Sequence, residues 1–171
     1  MLFYLRLIFG CFEKGEILIQ KDWLLTKFSE IKNRILKALS QLTDEQVNWM
    51  PGDTGHSVST LIRHIDGNIK ERIHKGICNG TFVRNREDEF KPMYRSKEDL
   101  IQTVRNQFQF VIDTITQMSE ASFLKTQLVR GRERTNLDIL HQCAAHFSEH
   151  LGQILYIAKL CMKDEYISTS I

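Results

Sequence analysis

Six apolar side chains, Ile101, Val104, Phe108, Val111, Ile115 and Met118, recur at intervals of three or four residues, which places them on one stripe of an α-helix for about five turns. A stripe of that length has to be buried against partners of the same kind, and the chain supplies three. Leu24, Leu25, Phe28, Ile31, Ile35 and Leu39 describe a first helix from about Asp22 to Leu42. Val58, Leu61, Ile62, Ile65, Ile69 and Ile73 describe a second, starting after the N-cap residue Ser57 and ending around Asn79-Gly80. The stripe from Ile101 to Met118 belongs to the third helix, opened by Ser96-Lys97-Glu98-Asp99, and Leu140, Ala144, Phe147, Leu151, Leu155 and Ala158 form the core row of a fourth, from Asn136 to Met162. The expected fold class is all-α, a four-helix bundle.

The connections carry their own signals. Thr43-Asp44-Glu45-Gln46 has the form of a capping box and opens a short turn that Pro51-Gly52 closes, and Ser119 to Phe123 makes another such turn. Thr81 to Arg95 is polar, charged and aperiodic, and reads as a long loop. Gln127 to Thr135 reads as a charged connection around Gly131, with an extended piece at Gln127 to Val129. The ends of the first and third helices, Gln41-Leu42-Thr43-Asp44 and Gln117-Met118-Ser119-Glu120, echo one another, as two related helix pairs would, and as unrelated helix stops that recruit the same residue types would.

At 171 residues and 42% hydrophobic content the chain suffices for one domain with its own core. That domain is expected to span residues 21–171, with residues 1–20 an apolar extension outside the core. The run from Met1 to Phe12 is too short to span a bilayer, and it lacks the basic start and small-residue cleavage site of a signal peptide. Lys and Arg total 23 against 21 Asp and Glu, a formal net charge of +2, which supplies neither a nucleic-acid nor an anionic-membrane surface. Cys11, Cys78, Cys143 and Cys161 form no short-spaced framework, so they read as reduced thiols in a cytoplasmic protein.

His146 and His150 lie four residues apart on the fourth helix, so both imidazoles leave one face a turn apart, as a two-pronged metal clamp. His64 on the second helix offers a third imidazole, and three neutral imidazoles with an open coordination position suit a catalytic divalent ion. On a helical wheel Gln153 extends the row of His146 and His150, Asn68 extends that of His64, and the two polar rows can meet at one mouth of the bundle. Gly67 and Gly152, each beside one of these histidines, are poor helix-interior residues of the kind kept for close approach of another group. His56, His74 and His141 read as core or surface histidines, and Cys143, one turn before His146, as packing rather than as a fourth ligand.

The segments HIDGN at His64, DEFKPMYRSKEDL at Asp88 to Leu100 and HFSEHLGQILYIAK at His146 to Lys159 together resemble the DinB-like superfamily, particularly its DUF1572 branch, over roughly Asp22 to Met162. The resemblance implies a helical bundle holding one divalent metal, zinc or nickel, through His64, His146 and His150. It also implies chemistry of the kinds found in that superfamily: thiol transfer with bacillithiol or mycothiol, or maleylpyruvate isomerisation. Two positions depart from the pattern. Trp49-Met50-Pro51 stands where a Trp-Arg-Pro-like segment is common, which removes a positive charge that would meet an anionic substrate, and Asp66 stands where a small residue is usual.

No Ser-His-Asp set, Gly-rich phosphate loop or Glu on the histidine row is evident to supply a nucleophile or general base. A thiol brought to a metal ion loses its proton to the ion's charge alone, so the expected activity is metal-dependent S-transfer, with a low-molecular-weight thiol such as bacillithiol conjugated to a small electrophile. A metal-dependent hydrolase and a non-catalytic metal-binding bundle are the alternatives. Gln153 and Asn68 are expected to support the ligands, with Trp49 as a pocket wall. The expected partners are small molecules and a second copy of the chain, with no nucleic acid or membrane.

Overall fold

The structure, a computed structural model, describes residues 14–53, 55–129 and 131–170, so the apolar run from Met1 to Phe12, with Cys11, lies outside the described residues. Four long helices build the bundle: α1 (Lys14–Gln41), α3 (Val58–Ile69), α5 (Lys97–Gln117) and α7 (Asn136–Met162). Short helices α2 (Asp44–Asn48), α4 (Arg86–Phe90) and α6 (Glu120–Leu124) occupy the connections. α1 and α3 each pack against both α5 and α7, which puts α1 and α3 at opposite corners. Among the described residues no helix is long and apolar enough to cross a membrane.

The caps explain where the helices begin. The side chains of Ser57, Ser96 and Ser119 each accept a hydrogen bond from the backbone N–H three residues on, and Thr43 with Gln46 and Thr135 with Asp138 form complete capping boxes, satisfying amide groups a helix start leaves without partners. α1 starts eight residues ahead of the expected Asp22, because Ile17 lies seven residues before Leu24 on the same stripe and is buried with it. The exposed neighbours Leu18 and Ile19 had blurred that periodicity.

The apolar stripes meet in one core. Phe147 of α7 makes edge-on ring contacts with Phe28 of α1 at 6.1 Å and Phe108 of α5 at 6.0 Å, a favourable arrangement for aromatic pairs. On α7 the buried stripe is wider than the expected row, adding Leu137, Ile139, Cys143 and Ile157, and Ile154 is fully buried where Leu155 is only partly so.

Two connections differ from their sequence reading. The charged connection before α7 is a hairpin, β1 (Thr126–Val129) paired antiparallel with β2 (Arg132–Thr135), with Gly131 at φ 76° in its turn, a value that favours glycine. No residue of its strands is fully buried, so no alternation of apolar residues marked them. The stretch expected to be a long loop contains α4. α3 runs on without a break as a π-helix, Lys70–Ile77, and ends where Asn79 takes φ 56°.

Candidate metal centre

His64 leaves α3 and His146 and His150 leave α7, and their ring nitrogens converge. Nε2 of His146 lies 3.1 Å from Nε2 of His64 and 3.2 Å from Nε2 of His150. One donor atom from each of the three lies within 4.8 Å of the others, a group that could hold a metal ion. Anchorage comes from the core: His146 is followed by buried Phe147, and His64 lies between buried Ile62 and Ile65.

The outer nitrogens decide what the inner ones can do. Nδ1 of His64 donates to Oε2 of Glu89 at 2.8 Å, and Nδ1 of His150 donates to Oε1 of Gln153 at 2.7 Å. Each acceptor keeps the proton on Nδ1 and leaves the Nε2 lone pair pointing inward. Burial pushes the His64 imidazole down to about 4, against the opposing pull of Glu89. Burial also lowers His150. Both are therefore neutral at ordinary pH, as ligation requires. Tetrahedral ligands at the usual zinc–nitrogen distance of about 2.05 Å stand about 3.3 Å apart, close to the two Nε2 separations observed. The donor set fits a divalent ion.

Glu89 was not visible as a site residue in the sequence, and the structure shows how it arrives. Arg63 of α3 donates to the backbone carbonyl of Lys91 at 2.9 Å and to that of Asp88, pinning both ends of the turn that carries Glu89. The Phe90 ring lies 4.9 Å from the His64 ring and 5.0 Å from that of His56. Gly67 supplies the room, since a Cβ there would overlap the Glu89 carboxylate. Gly152 has nothing within 4 Å of where a Cβ would stand, so close approach does not explain it. Arg84 then clamps Glu89 through both oxygens, Nε to Oε1 at 2.6 Å and Nη2 to Oε2 at 2.8 Å. Burial alone would raise the Glu89 carboxyl, but the hydrogen bonds from Arg84 and His64 outweigh it and hold it below its ordinary value. The carboxylate is ionised with both oxygens engaged, which suits it to orient an imidazole rather than to take a proton from a substrate.

Asn68, one turn after His64, donates its amide to Nε2 of His64 at 3.1 Å and to the His64 carbonyl at 2.9 Å, so its amide hydrogen competes with a cation for one lone pair. Trp49, at the C-terminal cap of α2, is 44% exposed and does not line the cavity at the histidines. Cys143 is fully buried, its thiol pushed up to about 12 by burial, and it is not one of the three clustered ligands. Asp66 points its Oδ2 to Lys70 at 2.7 Å, away from the histidines. His74 and His141 pack against Phe110 and Trp23.

A cavity of about 340 Å³ opens onto His64 and His146, with Arg72, Arg84, Arg86 and Gln142 in its walls. A second, of about 250 Å³, reaches the other flank through Gln153, the partner of His150, and is walled by Leu61, Tyr156 and Ile157 with His56.

The sequence pattern of a family described as a protein of unknown function, DUF1572, matches residues 20–171. Solved structures share the fold, three of them as follows. A DinB-like protein from Bacillus subtilis is 14% identical with a TM-score of 0.65, covering 86% of this chain and 97% of its own. A DinB-like protein from Bacillus cereus is 15% identical at 0.64, covering 81% and 90%. A conserved protein from Enterococcus faecalis is 16% identical at 0.63, covering 81% and 95%. No curated protein matches the chain.

Proposed function

The chain belongs to the DUF1572 family and has the DinB-like fold, and from that premise we propose that it is a metal-dependent S-transferase that joins a low-molecular-weight thiol, bacillithiol or one like it, to a small electrophile. The observation that carries this reading is the convergence of the Nε2 atoms of His64, His146 and His150 beside an open cavity. Zinc or nickel suits these ligands, and a divalent ion there supplies the charge that lowers the pKa of a thiol brought to it.

The protein's own residues hold and orient. Glu89 and Gln153 fix the ring planes and proton positions of His64 and His150, and the cavity walls align the reactants. The thiol proton leaves to solvent, sulfur forms its bond to carbon, and the electrophile's leaving group departs with its electron pair, so no side chain has to shuttle a proton. Hydrolysis would need such a group, and the buried carboxylate beside the centre, Glu89, has both oxygens occupied by Arg84 and His64. We place this activity in a cytoplasmic homodimer. Cys78, Cys143 and Cys161 stand as free thiols, as a reducing compartment keeps them, and the exposed Leu18, Ile19 and Trp23 of α1 offer an apolar face for pairing.

The test is conjugation of bacillithiol to a halobimane by the zinc- or nickel-loaded protein. Turnover that disappears in His64→Ala supports the reading. Metal-dependent ester or amide hydrolysis with no conjugation across several thiols would replace it with the hydrolase, and inactivity in both assays with metal bound would favour the non-catalytic bundle.

A further inference from the structure

His64, Asn68 and Arg72 follow one another at intervals of four residues along α3 and its π-helical continuation, and Gln142, His146 and His150 do the same along α7. His64 faces His146 and His150, whereas Arg72 lies beside Cys143, so the two rows run antiparallel and wall one cavity from the histidines to Arg72. Arg72 lies eight positions after His64, roughly 12 Å along the axis, the length of a small metabolite.

The charges along that cavity are unequal in their partners. Arg84 is answered by two carboxylates, Glu89 and Glu71 at 2.8 Å. Arg72 and Arg86, which wall the same cavity, take part in no ion pair among the described residues. The Arg86 guanidinium sits 5.4 Å from the centre of the Phe90 ring, and that ring lies 4.9 Å from His64, so Arg86 is held one ring away from the metal ligands. Two guanidinium groups without carboxylates in a concave wall are a site for an anion, and the planar fork of arginine matches a carboxylate in particular. The cavity on the other flank of the centre is walled by Leu61, Tyr156 and Ile157 and has no arginine.

We infer that the arginine-walled cavity receives the anionic end of the thiol co-substrate, a carboxylate-bearing small molecule gripped by Arg72 and Arg86 with its sulfur toward His64, His146 and His150, while the apolar cavity takes the electrophile. This inference rests on the proposed S-transfer but concerns recognition rather than chemistry, and it can be measured without turnover.

The test compares three probes by titration calorimetry: mercaptosuccinate, a thiol with two carboxylates; 2-mercaptoethanol, an uncharged thiol; and succinate, which has the carboxylates and no sulfur. Zinc-loaded protein is expected to bind mercaptosuccinate roughly tenfold or more tighter than 2-mercaptoethanol, the scale of one or two charge-assisted hydrogen bonds. Arg72→Ala with Arg86→Ala should erase that difference while leaving zinc content and 2-mercaptoethanol binding in place. Arg86→Ala alone, at an exposed position, should give a partial loss with an unchanged helical signal, which keeps the test decisive if the double variant folds poorly. Equal affinity for the two thiols in the unaltered protein, or an equal loss for both in the variants, overturns the inference. Succinate binding to the metal-free protein separates the two claims: arginine-dependent binding there supports the anion site even if no metal-dependent conjugation is found, and its absence alongside active conjugation removes the anion site alone.

Discussion

Oε2 of Glu89 accepts a 2.8 Å hydrogen bond from Nδ1 of His64, both side chains being buried. The contact ties a short helix in a charged connection to the ligand cluster and fixes which nitrogen of His64 faces inward. Losing a carboxylate partner of a ligating histidine typically costs about 10–100-fold in metal affinity. Glu89→Ala is therefore expected to weaken zinc binding by that factor, measured by competition with a chelator, and Glu89→Gln by less because it keeps an acceptor oxygen. Unchanged affinity in Glu89→Ala would mean that the hydrogen bond does not orient the ligand.

The two glycines beside the histidines make opposite predictions. At Gly152 an added methyl meets nothing within 4 Å, so Gly152→Ala should stabilise the protein by about 0.5–1 kcal/mol through helix propensity. At Gly67 the same methyl would overlap the Glu89 carboxylate, and Gly67→Ala should lower the thermal midpoint and weaken zinc binding together. Differential scanning calorimetry of the two variants checks this, and stabilisation by both would show that Glu89 does not seat against Gly67.

Acid should destabilise the metal-free protein over a defined window. An unfolded His64 takes up a proton near the ordinary histidine value of 6.5, whereas in the fold burial lowers it to about 4. Between those values the unfolded chain binds the extra proton, so stability is fully present above 6.5 and falls as pH drops toward 4. His150, also lowered by burial, acts in the same direction. Thermal midpoints at pH 7.5 and pH 5 measure the slope, which should flatten in His64→Gln. An equal slope in that variant would assign the effect to other groups.

Stripping the metal should leave the helices in place. The core that joins Phe28, Phe108 and Phe147 and the buried stripes around it do not pass through the histidine cluster, so the bundle does not depend on a metal for its stability. The far-ultraviolet circular dichroism of chelator-treated protein is expected to match that of loaded protein. Complete loss of helical signal at room temperature would indicate a structural site.

The long helices were legible because each repeats its apolar stripe for many turns and opens on a capping residue, and the spacing of His146 and His150 was legible because one helix carries both. Glu89 was not, because nothing periodic marks the residues around it. Its place depends on Arg63 reaching the Asp88 and Lys91 carbonyls and on Arg84 closing over it, long-range contacts without a local signature. Gly67 was the nearest clue, a helix-interior glycine whose missing side chain is explained once Glu89 is placed. The hairpin before α7 escaped for a related reason: with no strand residue fully buried, its strands carry no apolar alternation.

Elemental analysis of protein purified without a histidine tag shows whether His64, His146 and His150 hold one divalent ion. About one zinc or nickel per chain is expected, the stoichiometry of a single mononuclear site, lost in His146→Ala and in His150→Ala while the circular dichroism of both variants stays helical. Metal-free protein after incubation with zinc and nickel, or full occupancy retained by either variant at low free metal, would contradict it.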